Sequence, residues 1–340
     1  MKRTWLIPAV FALAFTLILA LASPAVPAET TYTAQMASQM PIKHPITDSV
    51  DLFCQRAKEL SKGRLDIKHF PAGQLLTDQE VPEAISKGTI QMAQTYFPWW
   101  SGMIKNISPY GGKSYDDLDH FFRLARGPLF EYQKKLLAEQ GNCRVIAPIL
   151  YAVKAGYLLT KPVKNLGDMK GMKIRISSNA LAPEVKALGG VPTVLSSADL
   201  YMGLQRKTID GVHSGVTSFY TRKWYEVAKY IFLPHFVTTD FHIVANKAWF
   251  DGLPADLQQV LMKAGQEATA YCTKATIALE DEMEKGLKAQ GVETYQVPLN
   301  VYKAQFAPVI EPAAREAAVK QFGEPLVKQY EQWVEETRAK

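Results

Sequence analysis

The chain has 340 residues, of which 47% are hydrophobic and 21% charged, with a formal net charge of +6. That length suits two ordinary domains or one large one. The charge is modest and no dense Lys/Arg block occurs, Lys134-Lys135 reading as a solvated helix face, which speaks against a nucleic-acid partner.

Lys2 and Arg3 form a positive n-region, Leu6 to Leu21 is almost unbroken apolar sequence, and Val26-Pro27-Ala28 places small residues at the −3 and −1 positions of a cleavage site. This pattern predicts a secretory signal peptide over residues 1–28, and with it export to the periplasm. An uncleaved membrane anchor is the alternative. No cysteine lies near the cleavage point, which argues against a lipid anchor. Removing 28 of 340 residues leaves 312, and removing Lys2 and Arg3 lowers the charge from +6 to +4.

The remaining chain alternates strands and helices. Tyr32 to Met36 is a predicted strand, followed by a helix capped at Thr47 with Val50, Phe53, Ala57 and Leu60 on one face and ended by Gly63. Leu65 and Ile67 alternate with polar residues in a second strand, Phe70-Pro71-Ala72-Gly73 turns, and a helix over Gln79 to Lys87 leads to a strand near Ile90 to Gln94. Ser114 with Asp117 resembles a capping box for a helix toward Gln140, with Pro128 as a kink. Val145 to Leu150, Tyr157 to Thr160, Met172 to Ser177 and Ile209 to Val212 are further strands; Asn179 to Leu188 and a segment capped by Ser196 and Asp199 are helices. The pattern is α/β with mostly parallel connections. In Met172 to Ser177 the apolar residues Met172, Ile174 and Ile176 share one parity, which turns Arg175 to the opposite face of a strand expected inside the sheet. A guanidinium fixed there needs an anionic partner.

After Pro254 no Pro or Gly except Gly265 interrupts the sequence until Gly286. A helix of about 30 residues would span about 45 Å, long enough to bridge two domains. A pair of ordinary helices, broken at Gly265 or Gly286, is the alternative. The cysteines Cys54, Cys143 and Cys272 match no zinc or redox spacing; three thiols or one disulfide with a free partner both remain open.

Enzyme chemistry finds little support. Gly211-Val212-His213-Ser214-Gly215 is not a nucleophile elbow, and adjacent side chains on an extended segment face opposite ways, so His213 is poorly placed to activate Ser214. His44, His69, His120, His213, His235 and His242 form no pair at helical ligand spacing, and no metal or cofactor is expected. Gly111-Gly112-Lys113-Ser114 matches only the end of a P-loop.

Three blocks carry a wider resemblance: Phe70-Pro71-Ala72-Gly73-Gln74-Leu75 with Gly88-Thr89-Ile90-Gln91-Met92; Lys161-Pro162-Val163 and Asp168 to Arg175, continuing through Leu188 to Pro192, Asp199 to Gln205 and Ile209-Asp210-Gly211; and Trp249-Phe250 through Leu253-Pro254. Together they resemble the periplasmic solute-binding proteins of tripartite ATP-independent periplasmic (TRAP) transporters, the DctP-type family, in its organic-acid-binding branch. The resemblance implies two α/β domains of class II-like binding-protein architecture, with hinge crossovers, a long bridging helix and closure on ligand. The expected division is 29–152 plus 241–280 and 153–240 plus 281–340.

The resemblance also implies an organic acid held at Arg175 by a two-pronged salt bridge, for which a planar, permanently charged guanidinium is suited. A second arginine about 20 residues earlier is common in relatives; that register falls here on Ala155, beside Lys154. Where relatives have Glu-Asn after Asp-Gly, this chain has His213-Ser214, and Ser196-Ser197 replaces an aromatic residue. Candidate ligand contacts are Arg175, Ser214, His213 and Ser197, with Tyr96, Trp99, Trp100 and Phe219 as apolar wall and Tyr151 near the crossover. The expected function is a non-enzymatic receptor, a monomer, that passes a small organic acid, a monocarboxylate of 2-oxo, hydroxy or aromatic type, to TRAP membrane subunits. A secreted α/β enzyme, or a receptor serving a sensor kinase or another transporter class, is the alternative.

Overall fold

The computed structural model of the chain describes residues 30–109, 116–234 and 237–338. The expected signal peptide, the Gly111–Ser114 segment with its capping serine, and His235 lie outside the described residues. The strands are β1 Tyr32–Ala37, β2 Leu65–Phe70, β3 Met92–Thr95, β4 Cys143–Ala152, β5 Ala155–Leu159, β6 Lys173–Ile176, β7 Val191–Val194, β8 Gly211–Gly215, β9 Tyr230–Leu233, β10 Thr239–Asn246 and β11 Glu293–Gln296. They form two sheets, ordered β2-β1-β3-β10-β4 and β11-β9-β5-β8-β6-β7.

Both sheets mix parallel and antiparallel pairs, the parallel ones being the more numerous, as the sequence pattern predicts. β10 is antiparallel to both β3 and β4, and β5 to both β8 and β9, whereas β1 pairs in parallel with β2 and β3, and β6 with β7 and β8. The reason lies in the crossovers. β4 passes directly into β5 of the other sheet, and β9 leads back into β10. A strand that enters from a crossover starts at the facing ends of the sheets and runs away from them, against its neighbours.

Each sheet is covered on both faces. In the first, Phe241, Ile243 and Ala245 of β10 join Val50, Phe53 and Leu257, while Val244 faces Ile85, Trp100 and Leu137. In the second, Tyr157 and Leu159 of β5 pack with Ile174, Ile176 and Phe306, and Leu158 with Val212, Phe219 and Trp224. Burial on both faces explains why β5 is apolar throughout instead of alternating.

Several local readings shift. The helix Pro45–Leu60 is capped by His44, whose Nδ1 accepts from the Ile46 amide (3.2 Å), with Pro45 in its first turn; Thr47 Oγ1 donates instead to the Met40 and Pro41 carbonyls. The segment toward Gln140 is two helices, Leu118–Ala125 capped by Asp117 and Pro128–Gln140. Asn179–Leu181 is a 3₁₀ turn ahead of the helix Ala182–Ala187, and the Ser196 hydroxyl caps the short turn Ser197–Asp199. All three thiols are free, and burial raises each, that of Cys272 to about 12.

The long helix is continuous over Ala255–Ala289, 35 residues and about 52 Å. Its two glycines are packing sites, not breaks. A Cβ on Gly265 would lie 3.0 Å from Ile146 Cγ2 and 3.1 Å from Ala147 Cβ of β4, and one on Gly286 would lie 2.6 Å from the Tyr220 ring. The helix thus touches the first sheet near one end and the helix Val216–Thr221, beside the second sheet, near the other. The last helix, Glu324–Arg338, packs on Leu118–Ala125 through Leu124, Tyr330 and Val334.

Between those contacts, the buried Glu280 carboxylate accepts from the Val153 and Lys154 amides, both 2.8 Å, in the β4–β5 crossover. The Thr238 hydroxyl of the second crossover donates to the Val153 carbonyl (2.7 Å), so one carboxylate anchors both connections to the helix. Burial raises Glu280 from 4.5 to about 7, against the lowering effect of the two amides. A raised folded-state pKa contributes stability that is fully present below 4.5 and is lost as pH rises through about 7. We therefore expect Glu280→Gln to flatten the melting-temperature profile between pH 5 and pH 8, with the wild type losing more stability over that interval; parallel profiles by circular dichroism would contradict it.

Candidate functional site

A cavity of about 250 Å³ lies where the facing ends of the two sheets meet. Tyr96, Trp99 and Thr239–His242 line it from the first sheet, and Arg175, Ser197, His213 and Ser214 from the second. Position follows from local structure. Tyr96 and Trp99 belong to the turn after β3, Arg175 lies on β6 in register with Val212 of β8, and His213 and Ser214 end β8.

Seven of the nine residues expected from sequence line this cavity: Arg175, Ser214, His213, Trp99, Tyr96, Ser197 and Tyr151. Trp100 and Phe219 do not. Trp100 is fully buried on the far face of the first sheet, its indole N–H bonded to Thr95 Oγ1 (2.9 Å), and Phe219 is fully buried against Trp224. In both cases a neighbouring position takes the cavity side: Trp99 in a 3₁₀ turn, and Ser218 and Arg222 along a helix.

The apolar wall is an aromatic cluster. Tyr96 stacks on Phe241 at 5.0 Å between centroids, while Trp99 and Tyr151 meet Phe241 edge-on at 5.4 and 4.8 Å. Trp99 Nε1 is buried and has no hydrogen-bond acceptor among the described residues. Tyr151 also organises a polar edge: its hydroxyl donates to Ser218 Oγ (2.8 Å) and accepts from the Gly215 amide (3.2 Å), which makes Ser214 Oγ, 2.6 Å away, a donor to it. His213 and Ser214 do part, as their adjacency implied: His213 meets the Tyr157 ring edge-on at 5.0 Å while Ser214 binds Tyr151. Deeper in, His242 stacks on Phe97 at 3.8 Å, and burial lowers its pKa to about 3, so it is neutral.

Arg175 is 3% exposed, and burial lowers its pKa to about 10, still charged at neutral pH. Its Nε donates to the Leu195 carbonyl (2.9 Å) and its Nη2 lies 3.5 Å from Asp78 Oδ2. Asp78, 1% exposed, also accepts from the Ser197 amide (3.1 Å), and its Oδ1 has no partner among the described residues. Arg175 thus has a long, one-pronged protein partner where a ligand carboxylate alone was expected. Asp78 follows β2 of the first sheet, so this contact crosses between the sheets, as does Gln79 Nε2 to the Ser177 carbonyl (3.4 Å).

Sequence reasoning missed Asp78 and a second cation. Ala155 lines the cavity at the register expected for a second arginine, but Lys154 pairs with Glu284 (2.9 Å) and is not in the wall. The cavity's second arginine is Arg222, which follows the helix Val216–Thr221. The signal for it was helical spacing: Ser218 and Arg222 stand four residues apart along Val216–Thr221 and its cap, and both line the cavity beside Ser214 of β8. Among the described residues no three His, Cys, Asp or Glu side chains cluster as metal ligands, and no helix is long and apolar enough to cross a membrane.

Residues 36–321 match the model of a family described as bacterial extracellular solute-binding protein, family 7 (DctP). The chain is 30% identical over 250 residues to the C4-dicarboxylate-binding periplasmic protein DctP of Rhodobacter capsulatus, covering 70% of this chain and 71% of that one. It is 28% identical over 256 residues to the 2,3-diketo-L-gulonate-binding periplasmic protein YiaO of Escherichia coli, 73% and 77% of the two chains. Its fold is similar to that of a TRAP periplasmic solute-binding protein from Desulfovibrio salexigens with bound orotic acid, at a TM-score of 0.82 and 20% identity over 90% of this chain and 100% of that one. The chain belongs to this family, the DctP-type periplasmic solute-binding proteins of TRAP transporters.

One ion pair at the cavity is complete within the protein. Arg126 grips Asp240 with Nε (2.9 Å) and Nη2 (3.3 Å), and Asp240 is 5% exposed. Burial raises the Asp240 pKa and Arg126 opposes that shift. Removing one partner of a buried pair leaves an uncompensated charge, at a cost of about 3–5 kcal/mol. Arg126→Met is expected to lower stability by about that much at neutral pH, as read by urea denaturation, and Arg126→Met/Asp240→Asn to recover part of it; a single variant as stable as wild type would show the pair to be dispensable.

Proposed function

We propose that this chain is a periplasmic receptor that binds a small organic acid in the cavity between its two sheets and delivers it to the membrane subunits of a TRAP transporter. The observation that carries this reading is Arg175: a buried guanidinium on the cavity wall whose one protein carboxylate is a single contact at 3.5 Å. Planar two-pronged pairing with a carboxylate is the geometry a guanidinium favours, and Asp78 leaves it unmade. The relatives named above bind, by their descriptions, acids: a C4-dicarboxylate, 2,3-diketo-L-gulonate and orotic acid.

Ser214 and Ser197 supply polar contacts, with His213 beside them, and Tyr96, Trp99 and Tyr151 hold the apolar body of the ligand. The receptor carries out no chemistry and acts as a monomer. Residues 1–28 direct export and are removed after Ala28. The bodies that close on ligand are 29–152 with 241–280 and 153–240 with 281–340, the last helix reaching back across the boundary.

Mass spectrometry of ligand retained by the purified protein, followed by thermal-shift screening of organic acids, tests the reading. An acid at 100 times its dissociation constant should stabilise the protein by about 2.7 kcal/mol. Arg175→Ala is expected to remain folded and to lose that stabilisation. Retention of a neutral compound in place of an acid, or full acid binding by Arg175→Ala, would sink it.

A further inference from the structure

Two arginines line the cavity and a third, Arg126, stands behind its wall residue Asp240; they differ in how their charge is met. Arg126 is matched two-pronged by Asp240, and Arg175 is matched in part by Asp78. Arg222 is matched least, feeling Asp78 only at a distance. Among the described residues no carboxylate lies within ion-pair distance of it. Only its Nη2 has partners, the Gln39 carbonyl at 2.5 Å and the Met40 sulfur at 4.0 Å, and its guanidinium lies 5.6 Å from the Trp224 ring centroid. Burial lowers its pKa, and its charge in turn lowers that of Arg175, so the two guanidinia sense each other across the same space.

A guanidinium withdrawn from water beside a like charge is costly unless an anion joins it. Gln39 offers a carbonyl and fixes the fork, but it cancels no charge. Of the other wall carboxylates, Asp240 is paired with Arg126, and Glu184 keeps its charge while accepting from the Tyr157 hydroxyl (2.6 Å); the carboxylate whose charge acts on both Arg175 and Arg222 is Asp78. Where Arg175 and Arg222 share the wall, two cations thus face the single carboxylate of Asp78. One negative charge completes the set.

We infer that Arg222 is the second anion-binding side chain of this cavity, and that Asp78 occupies the remaining cationic capacity, so that the site takes a ligand with one carboxylate. This rests on the organic-acid reading and narrows it to monocarboxylates. A dicarboxylate would set its second charge against Asp78 in a poorly hydrated space.

The test is isothermal titration of the purified wild-type protein with lactate, mandelate and pyroglutamate as monocarboxylate probes and succinate and malate as dicarboxylate probes. At least one monocarboxylate is expected to bind at least tenfold more tightly than either dicarboxylate. Arg222→Gln should weaken that monocarboxylate about a hundredfold, and Arg222→Lys, which keeps charge but not the fork, by less. Asp78→Asn supplies a readout that a merely structural role would not move: removing the internal anion should raise succinate affinity relative to the monocarboxylate. Undiminished binding by a folded Arg222→Gln overturns the second anchor, as does an unchanged succinate ratio in Asp78→Asn the counter-charge role. A wild type that prefers succinate or malate overturns the monocarboxylate assignment while leaving the organic-acid reading standing. A wild type that binds none of the probes and retains no acid overturns the organic-acid reading itself.

Discussion

A guanidinium taken out of water keeps its charge only if an anion or a set of acceptors replaces the solvent, and the arrangement around the cavity follows from that constraint. β6 carries Arg175 into the wall because its other parity is committed to the core: Ile174 and Ile176 are buried under Tyr302 and Phe306. The strand cannot present the isoleucines to the core without presenting Arg175 to the space between the sheets. Arg222 arrives by a different route, one helical turn after Ser218 at the end of the helix Val216–Thr221. The protein satisfies the two incompletely, with the charge of Asp78 and two carbonyls, in contrast to the complete ion pair Arg126–Asp240.

The scaffold that brings these groups together is a set of crossings. The β4–β5 and β9–β10 connections lie side by side, joined by Ala155 N to Val237 O (2.9 Å) and by the Thr238–Val153 bond, and the long helix runs past both. Glu280 ties the helix to the first crossover through two backbone amides that no strand or helix otherwise uses. The close approaches at Gly265 and Gly286 hold the helix firmly at both ends, where a larger residue would push it off β4 or the Tyr220 ring.

Much of this was legible in the sequence where one face of an element decides its character. The parity of Met172, Ile174 and Ile176 placed Arg175, and the long stretch after Pro254 without a further proline placed the long helix. What was not legible depended on rotation or on distant partners. Trp99 and Trp100 are adjacent and chemically identical; only the 3₁₀ turn decides that Trp99 meets the cavity and Trp100 the core. Phe219 was chosen for its apolar surface, yet that surface seats it against Trp224, leaving the serines and Arg222 on the open face. His44 displaced Thr47 as a cap because Pro45 can begin a helix and the imidazole can accept its first free amide. Asp78 meets Arg175 across 97 positions of sequence, and no local pattern announces such a pair.

The bonds that cross between the sheets at the cavity are the same ones the proposed ligand would use. Arg175 reaches Asp78, and Arg222 reaches the Gln39 carbonyl, each from the second sheet to a segment that follows a strand of the first. A long single contact and a neutral acceptor leave the buried Arg175 and the partly exposed Arg222 incompletely matched, an arrangement with an electrostatic cost of its own. A ligand shifts such an equilibrium only by the difference in its affinity for the two states. On the proposed function, a carboxylate held by both guanidinia would favour the arrangement in which the two arginines and the aromatic wall of Tyr96, Trp99 and Phe241 line one cavity. On the proposed function, ligand recognition and closure are then one electrostatic event: the anion that removes the repulsion between Arg175 and Arg222 is also the anion that makes closing favourable.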